Sequence, residues 1–169
     1  ELAHQGIAAI CAHTNLDMAA QGVNTCLARR LGLRHVRPVR EENGLPIVLE
    51  GDLQTPMMPL DFVRFVKKVL HCQAVSYTEG KELVSSVAVC SGSGADYLLE
   101  TSCKAQAYVT GEARHHEWIE ARRRAITLVA AGHHSTEAVV LAPLAEELQK
   151  RFPQVEWIVM DEGAPEQYL

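Results

Sequence analysis

The sequence has no pair of cysteines in a C-x-x-C arrangement, although it contains five cysteines. Their number is odd, and each lies in or beside an apolar run: Cys11, Cys26, Cys72, Cys90 and Cys103. This pattern argues against a cysteine zinc site and against the disulfide framework of a small secreted domain. We therefore expect reduced, mostly buried thiols in a cytoplasmic protein.

The sequence also lacks a long basic run and any apolar run long enough to cross a membrane. Its formal net charge of −5 argues against nucleic acid as an obligatory partner. No signal peptide is visible. The 169 residues, 47% hydrophobic and 22% charged, are enough for one globular domain with a core. We expect a single domain over residues 1–169 with no membrane partner.

Apolar runs of β-type residues alternate with polar turns and helical runs, and this unit recurs four times. Strands are predicted at 7–11, 36–39, 47–49, 74–77, 84–90, 106–109, 126–130 and 155–160. Helices are predicted at 18–31, 60–70, 96–103, around Trp118, and at 136–152. The pattern predicts an α/β fold, with a mostly parallel central sheet flanked by helices and a hairpin insert around the turn at 41–44.

Two of the polar turns carry residues that can bind metal ions. Asp17 follows the first predicted strand, and His133 and Glu137 follow the strand at 126–130. His133 and Glu137 are four residues apart, so their side chains can converge on one side of a helix. An imidazole and a carboxylate together form a mixed nitrogen and oxygen site for a divalent metal. The alternative is a capped helix with Glu137 on its dipole and two polar turn histidines.

A further turn, at 110–117, contains Glu112, His115 and His116. Since these turns follow the carboxyl ends of strands, they can meet at one edge of the sheet, which favours a metal or hydrolytic site over unrelated helix starts. The glycine turn at 91–95 resembles an anion cradle but lacks the Lys-Ser/Thr of a P-loop. A tight turn that needs small residues is its favoured interpretation.

Together these motifs resemble one family, the Nif-three-like dinuclear metal-centre proteins, often described as GTP cyclohydrolase type 2 homologues. The match runs from about Ala8 to Met160, and the motifs occur in the family's order. They are His13-Thr14-Asn15-Leu16-Asp17, Gly22-Val23-Asn24, Ser91-Gly92-Ser93-Gly94, Thr110-Gly111-Glu112 with His115-His116, and Gly132-His133-His134-Ser135-Thr136-Glu137.

The resemblance implies a Nif-three-like α/β fold, a ring-shaped homohexamer and a pair of divalent metals (Zn, Mn, Fe or Mg) inside the ring. It places metal ligands at Asp17, His133 and Glu137, and an acidic residue close to them at Glu112. The family's pattern starts before Glu1, in a segment with two adjacent histidine ligands. We therefore expect this chain to be a fragment or a short form with an incomplete centre.

The leading hypothesis is a metal-dependent hydrolase acting on a nucleotide-like or other small substrate. Asp17 and Glu137 would hold the cation, His133 would supply a nitrogen ligand, and Glu112 or His115 would carry the proton. GTP cyclohydrolase activity is a runner-up within this class. The alternatives are a non-catalytic metal-binding hexamer that acts as a regulator or interaction partner, and a structural domain without its site. Three ligands predict at most one tightly bound divalent ion.

Overall fold

Six strands form one mixed sheet in the computed structural model, which describes residues 1–100 (99 and 100 by backbone alone), 105–160, 163–165 and 167. The strands are β1 (Arg34–Glu42), β2 (Leu45–Met57), β3 (Ser76–Tyr77), β4 (Val84–Val89), β5 (Ala107–Thr110) and β6 (Thr127–Ala130). Their spatial order is β1-β2-β4-β5-β6-β3. The α-helices in the described residues are α1 (Thr14–Asp17), α2 (Val23–Arg30), α3 (Pro59–Val69), α4 (Tyr97–Glu100), α5 (His115–Arg123), α6 (His133–Glu137) and α7 (Leu141–Arg151).

The centre of the sheet is parallel, since β4 pairs with β5 and β5 pairs with β6 in that direction. The outer pairings are antiparallel. The predicted α/β class with a parallel centre is therefore confirmed. The predicted hairpin is β1–β2, turned by Asn43 and Gly44, whose φ angles of 52° and 76° suit a two-residue hairpin loop. Because β2 also pairs with β4, the hairpin extends the sheet instead of standing apart as an insert.

Alternate residues of the central strands pack into separate cores on the two faces of the sheet. Val87 and Val89 of β4 belong to the core that contains Phe62 of α3. Ala88, between them, belongs to the core that contains Tyr108 and Leu128. This arrangement follows from the two-residue period of a strand and covers both faces with helices, which leaves the strand ends for the polar turns.

Two predicted strands are wrong, those at 7–11 and 155–160. In the described part of the chain neither segment pairs with the sheet, and their apolar side chains are exposed, with Ile10 at 95% and Ile158 at 74%. A short apolar run indicates a tendency toward extended backbone, but a strand also needs a neighbour to bond its amides and carbonyls. Neither segment has one in this structure.

Two predicted helices have different bounds. The helix expected at 18–31 begins only at Val23, because the backbone of Gly22 is extended, with a ψ of −164°, and interrupts the helical run. The helix expected at 136–152 begins earlier and is divided into α6, a 3-10 turn at Ala138–Val140 and α7. Of the helix expected at 96–103, the described part is a 3-10 turn at Gly94–Asp96 followed by α4.

The thiols are free where they are described, and Cys26, Cys72 and Cys90 are buried as expected. Cys11 is exposed, which corrects the expectation for that residue, because the segment at 7–11 does not pack into a core. Cys103 lies outside the described residues. None of the described helices combines the length and apolar character needed to span a bilayer.

Candidate metal centre

The turns that follow β4, β5 and β6 meet at one edge of the sheet and are joined by backbone hydrogen bonds. The carbonyl of Gly92 accepts hydrogen bonds from the amides of Gly111 and Glu112, both at 2.9 Å, and from the Thr110 hydroxyl at 3.2 Å. The amide of Gly132 donates to the carbonyl of Gly111 at 2.9 Å. The expected convergence of the polar turns is thus present, as the carboxyl ends of parallel strands require.

Gly92 must be a glycine for two reasons. Its φ of +57° lies in the left-handed region, and a Cβ would lie 2.5 Å from Oε1 of Glu137 and 3.2 Å from Nε2 of His133. Its amide donates to Oγ1 of Thr136 at 3.1 Å, which holds the turn against α6. The turn expected to need small residues therefore needs them because it packs against the candidate ligands.

Asn24 holds the beginning of the same turn. Its side chain is buried at 1% exposure, its Oδ1 accepts from the amide of Ser91 at 2.8 Å, and its Nδ2 donates to the carbonyl of Ile47 at 2.9 Å. Sequence reasoning included Asn24 in a motif but gave it no role. The available signal was an amide side chain among the apolar residues of a helix, since buried amides are hydrogen-bonded.

His133 lies between two carboxylates. Its Nδ1 is 2.9 Å from Oε1 of Glu112, and its Nε2 is 3.0 Å from Oε1 of Glu137. The Ser93 hydroxyl donates to the other oxygen of Glu112 at 3.3 Å. Glu112, His133 and Glu137 are here called the triad. Their side chains are partly exposed, at 55% for Glu112, 40% for His133 and 39% for Glu137. The site is therefore reachable from solvent.

Asp17 lies at the end of α1 and is electrostatically coupled to the triad. Burial, and then the negative charge of Glu137, raise the pKa of Asp17, while His13 and His133 act in the opposite direction. Yet the ligand atoms of Asp17, His133 and Glu137 do not all fall within 4.8 Å of one another in the described structure. The three predicted ligands are near one another, but their ligand atoms do not converge on one position.

The remaining histidines of these turns lie apart from the triad. His115 begins α5 and is exposed, and among the described residues it forms no hydrogen bond or ion pair. His134 is the next residue after His133, yet it lines a different cavity on the other side of α6. Of the two predicted proton carriers, Glu112 is the one that contacts a predicted ligand.

A second group of possible ligands lies at the start of α5. One ligand atom from each of Asp96, His116 and Glu117 falls within 4.8 Å of the others, and this donor set can hold a divalent metal. However, the Arg114 guanidinium contacts Asp96 and lies 3.1 Å from Oε1 of Glu117, whose side chain is 2% exposed. Arg114 already neutralises both carboxylates and would have to be displaced, so we regard this group as an ion-pair cluster.

A cavity of about 250 Å³ adjoins the triad. Glu112 and His133 contribute to its wall, and the remaining lining residues are mostly apolar or small, including Val75, Ala113 and Trp118. The Trp118 indole N–H donates to the carbonyl of Ala113 at 3.1 Å, so its hydrogen-bonding need is met locally. The cavity is large enough for a small ring compound.

An α/β sheet that brings two carboxylates and an imidazole together beyond its parallel strands defines a candidate metal-site domain. The chain belongs to the Duf34/NIF3 (NGG1p interacting factor 3) family, whose model matches residues 1–165.

The comparisons with individual proteins agree with this membership. The chain is 34% identical over 153 residues to a Pseudomonas aeruginosa protein named GTP cyclohydrolase 1 type 2 homolog, covering 89% of this chain and 60% of that protein. Its fold is similar to that of Staphylococcus aureus protein SA1388, with a TM-score of 0.86, 21% identity, and coverage of 99% and 71%. It is also similar to TTHA1606 from Thermus thermophilus, with a TM-score of 0.80, 29% identity, and coverage of 97% and 64%.

The chain spans 60% and 57% of the length of two curated relatives, from Pseudomonas aeruginosa and Haemophilus influenzae.

Proposed function

We propose that this chain binds one divalent cation through Asp17, His133 and Glu137 and acts as part of a metal-dependent hydrolase on a small substrate. One observation carries the proposal, namely the position of His133 between the carboxylates of Glu112 and Glu137.

Without a bound metal, a neutral His133 ring cannot donate a hydrogen bond from both of its nitrogens, because only one of them carries a proton. If Nδ1 carries the proton and donates it to Glu112, Nε2 presents a lone pair to the Glu137 carboxylate 3.0 Å away. Two acceptors facing each other require a cation or a second proton between them. A divalent ion meets this need, and a carboxylate that accepts from the opposite ring nitrogen is the usual orienting partner of a metal-binding histidine.

The same arrangement accounts for part of the rise in the pKa of Asp17. Its carboxylate and that of Glu137 repel each other, which is part of the reason that the pKa of Asp17 is raised. A cation bound between them would replace repulsion with attraction and draw the groups together. The separation of the three ligand groups is therefore what we expect of a site in which two carboxylates repel each other until a cation binds between them.

Each residue then has a distinct task. Asp17 and Glu137 hold the cation by charge, His133 supplies a nitrogen donor, and Glu112 orients His133 or accepts a proton from the reacting group. The cation would supply Lewis acidity, which acidifies water and polarises the attacked bond. His115, with no described contact to the triad, remains a weaker candidate for proton transfer.

The charge around the site favours a small neutral or cationic substrate over a nucleoside triphosphate. Among the described residues lining the 250 Å³ cavity there is no Lys or Arg, and Glu112 is acidic. A triphosphate needs cationic groups to bind its phosphates. A ring compound with a hydrolysable amide-type bond, its apolar part beside Trp118, fits the wall better. GTP, suggested only by the names of the relatives, is the runner-up.

Calorimetric titration with Mn²⁺ or Zn²⁺ tests the metal site. We expect one tightly held ion per chain and loss of binding in Glu137→Gln. His134→Ala is the matched control, because His134 lies on the same helix but faces the other cavity, and it should retain the ion. Two tightly bound ions per chain, or unchanged binding in Glu137→Gln, would contradict the proposed ligand set.

Hydrolysis of cyclic amides and nucleotides by the metal-loaded chain tests the activity. Turnover that is lost in Glu112→Gln at a metal concentration high enough to fill its weakened site supports a hydrolase. A metal-loaded chain that turns over none of these compounds supports the alternative, a metal-binding regulator or interaction protein. The homohexamer implied by the family resemblance belongs to the same proposal, and light scattering of the purified chain measures it.

A further inference from the structure

A second cavity, larger than the one beside the triad, lies on the opposite side of α6 from the candidate metal centre. Its volume is about 780 Å³, and it lies between the ends of α2 and α3, α6 and the beginning of α7. Ala74 and Gly132 line both this cavity and the smaller one, so the turn between β6 and α6 separates them. His134 and Ser135 belong to the wall of the larger cavity, whereas His133 belongs to that of the smaller one.

Among the described residues that line this cavity, cationic side chains outnumber acidic ones, the reverse of the balance in the chain as a whole. The chain carries a formal charge of −5, yet Arg29 and Arg30 line the cavity, with Glu146 as the one acidic residue among the described lining groups. Lys67, at the end of α3, is close enough to act on the Cys72 thiol in the same wall. Basic residues in the last turn of a helix are common because they interact favourably with its dipole. Here two such helix ends lie against one cavity.

Arg30 is held in place between these two ends. Its Nε donates to the carbonyl of Val69 at 3.1 Å, and its Nη2 lies 2.8 Å from Nε2 of His71. Both contacts connect α2 with the end of α3, so the guanidinium loses little conformational freedom when it binds a ligand. Its Nη1 makes no further hydrogen bond within the described residues.

Apolar surface makes up more of the remaining wall than polar surface does, although His71, Gln73 and His134 also line it. Leu70, Ala138, Val139 and Pro143 contribute aliphatic surface, and the buried thiols of Cys26 and Cys72 contribute weakly polar surface. Burial raises the pKa of both thiols, so they remain neutral and add no negative charge. An apolar wall with cations on one side matches a ligand that has an apolar body and one anionic end.

We propose that this cavity is a second ligand site, which binds a small organic anion with an apolar body through Arg29 and Arg30. A carboxylate and a phosphate share the chemistry that these guanidinium groups recognise. The site is separate from the candidate metal centre, and no contact described for it involves Asp17, His133 or Glu137.

Nuclear magnetic resonance titration of the full chain with octanoate, octyl phosphate and octanol tests this proposal. The three probes share one apolar chain and differ only in the head group. We expect octanoate or octyl phosphate to shift the amide signals of Cys72, Ala138 and Val139 in a saturable way, and to bind on the order of tenfold more tightly than octanol. The stronger of the two anions identifies the preferred head group.

Variants locate the binding. Arg29→Gln and Arg30→Gln should each weaken anion binding on the order of tenfold, and Ala142→Phe should block the cavity from its exposed side. Arg122→Gln, an exposed arginine in the last turn of α5, is the control and should bind as the unaltered chain does. If loss of the Arg30 contacts disturbs the fold, Arg29→Gln still decides the result. Equal binding of octanol, no saturable shift, or unchanged affinity in Arg29→Gln would overturn the proposal.

Discussion

Nδ1 of His133 lies 2.9 Å from Oε1 of Glu112, although the two residues are 21 positions apart and follow different strands. The turn after β5 thereby sets the orientation of a ring that is carried by the turn after β6. With Nδ1 beside Glu112, the other ring nitrogen points toward Glu137, and in the proposed function this is the nitrogen that would bind the cation.

Replacing Glu112 with Gln should weaken metal binding without abolishing it. The amide keeps the shape of the carboxylate but lacks its charge, so it holds the His133 ring less firmly and makes the ring a poorer donor. Loss of such an orienting partner costs roughly 10- to 100-fold in metal affinity. Calorimetry with Zn²⁺ measures the change, and Glu79→Gln, at an exposed acidic residue, is the control. Unchanged affinity would mean that Glu112 does not orient the ligand.

Replacing Gly92 with Ala should cost stability and metal binding together. Gly44→Ala is a matched control, because Gly44 also has a positive φ, +76°, but has nothing within 4 Å of the added Cβ. Both variants should lose about 1 kcal/mol of unfolding free energy from the left-handed backbone. Only Gly92→Ala adds a contact at 2.5 Å with Oε1 of Glu137, so it alone should lose metal affinity. Urea unfolding and calorimetry measure the two quantities.

Replacing Asn24 with Ala should destabilise the chain by about 2–4 kcal/mol. The substitution leaves the buried amide of Ser91 and the carbonyl of Ile47 without their partner, and each unsatisfied buried group costs about 1–3 kcal/mol. Gln21→Ala, an exposed residue just before α2, should change the unfolding free energy by less than about 0.5 kcal/mol. Equal effects of the two variants would show that Asn24 does not fasten the turn.

Replacing Asp17 with Asn should stabilise the metal-free chain at neutral pH. The pKa of Asp17 is raised above 3.8 in the folded chain, mainly by burial and then by Glu137, so the folded state holds this proton more tightly than the unfolded state. Stability therefore falls as the pH rises from 3.8 through the folded pKa, and Asn removes that loss.

The gain is expected on the order of 0.5 kcal/mol, because the group is only partly buried and solvent screens its charge. It should vanish at a pH below 3.8. Unfolding curves over this pH range measure it, with Asp61→Asn as an exposed control. Added Zn²⁺ should reverse the order of stability, since Asn is a poorer ligand. A metal-free variant less stable than the parent at neutral pH would contradict this account.

The thiols should differ widely in reactivity in the native chain. Cys11 is exposed, whereas burial raises the pKa of the Cys90 thiol to about 12 and leaves the residue 3% exposed. In a Cys103→Ser background, a thiol reagent should label Cys11 at once and Cys90 only as fast as the chain unfolds. Cys11→Ser should remove the fast phase. Fewer free thiols than cysteines after unfolding without reductant would contradict a disulfide-free chain.

Much of the fold was predictable because its signals are local. Three of the six residues of β4 are valine, and the hairpin turns on Asn43 and Gly44, the pair that a two-residue loop requires. The failures at 7–11 and 155–160 have one physical cause. An apolar run in a segment does not tell whether a second strand lies beside it to complete the hydrogen bonds.

The sequence could propose residues for the candidate site but could not predict most of their contacts. Spacing placed His133 and Glu137 on one helix, and they do lie 3.0 Å apart. The hydrogen bond from Ser91 to Asn24 joins residues 67 positions apart, and the Glu112 contact joins different turns. Such pairings depend on how the strands are ordered in the sheet. The division of α6 into one side facing the triad and another facing the larger cavity depends on the same packing.

The carbonyl oxygen of Gly92 also determines how the site loses its structure. It accepts hydrogen bonds from two backbone amides and one hydroxyl. The turn after β4 therefore cannot move away without breaking the hydrogen bonds from Thr110, Gly111 and Glu112 together. Local opening at this edge should therefore be cooperative, and the amide protons of Gly111 and Glu112 should exchange with solvent at a common rate. The amide of Gly92 also donates to Oγ1 of Thr136, next to Glu137, so a thermal fluctuation of this turn should disturb Glu112 and Glu137 together, and partially assembled forms of the site should be rare.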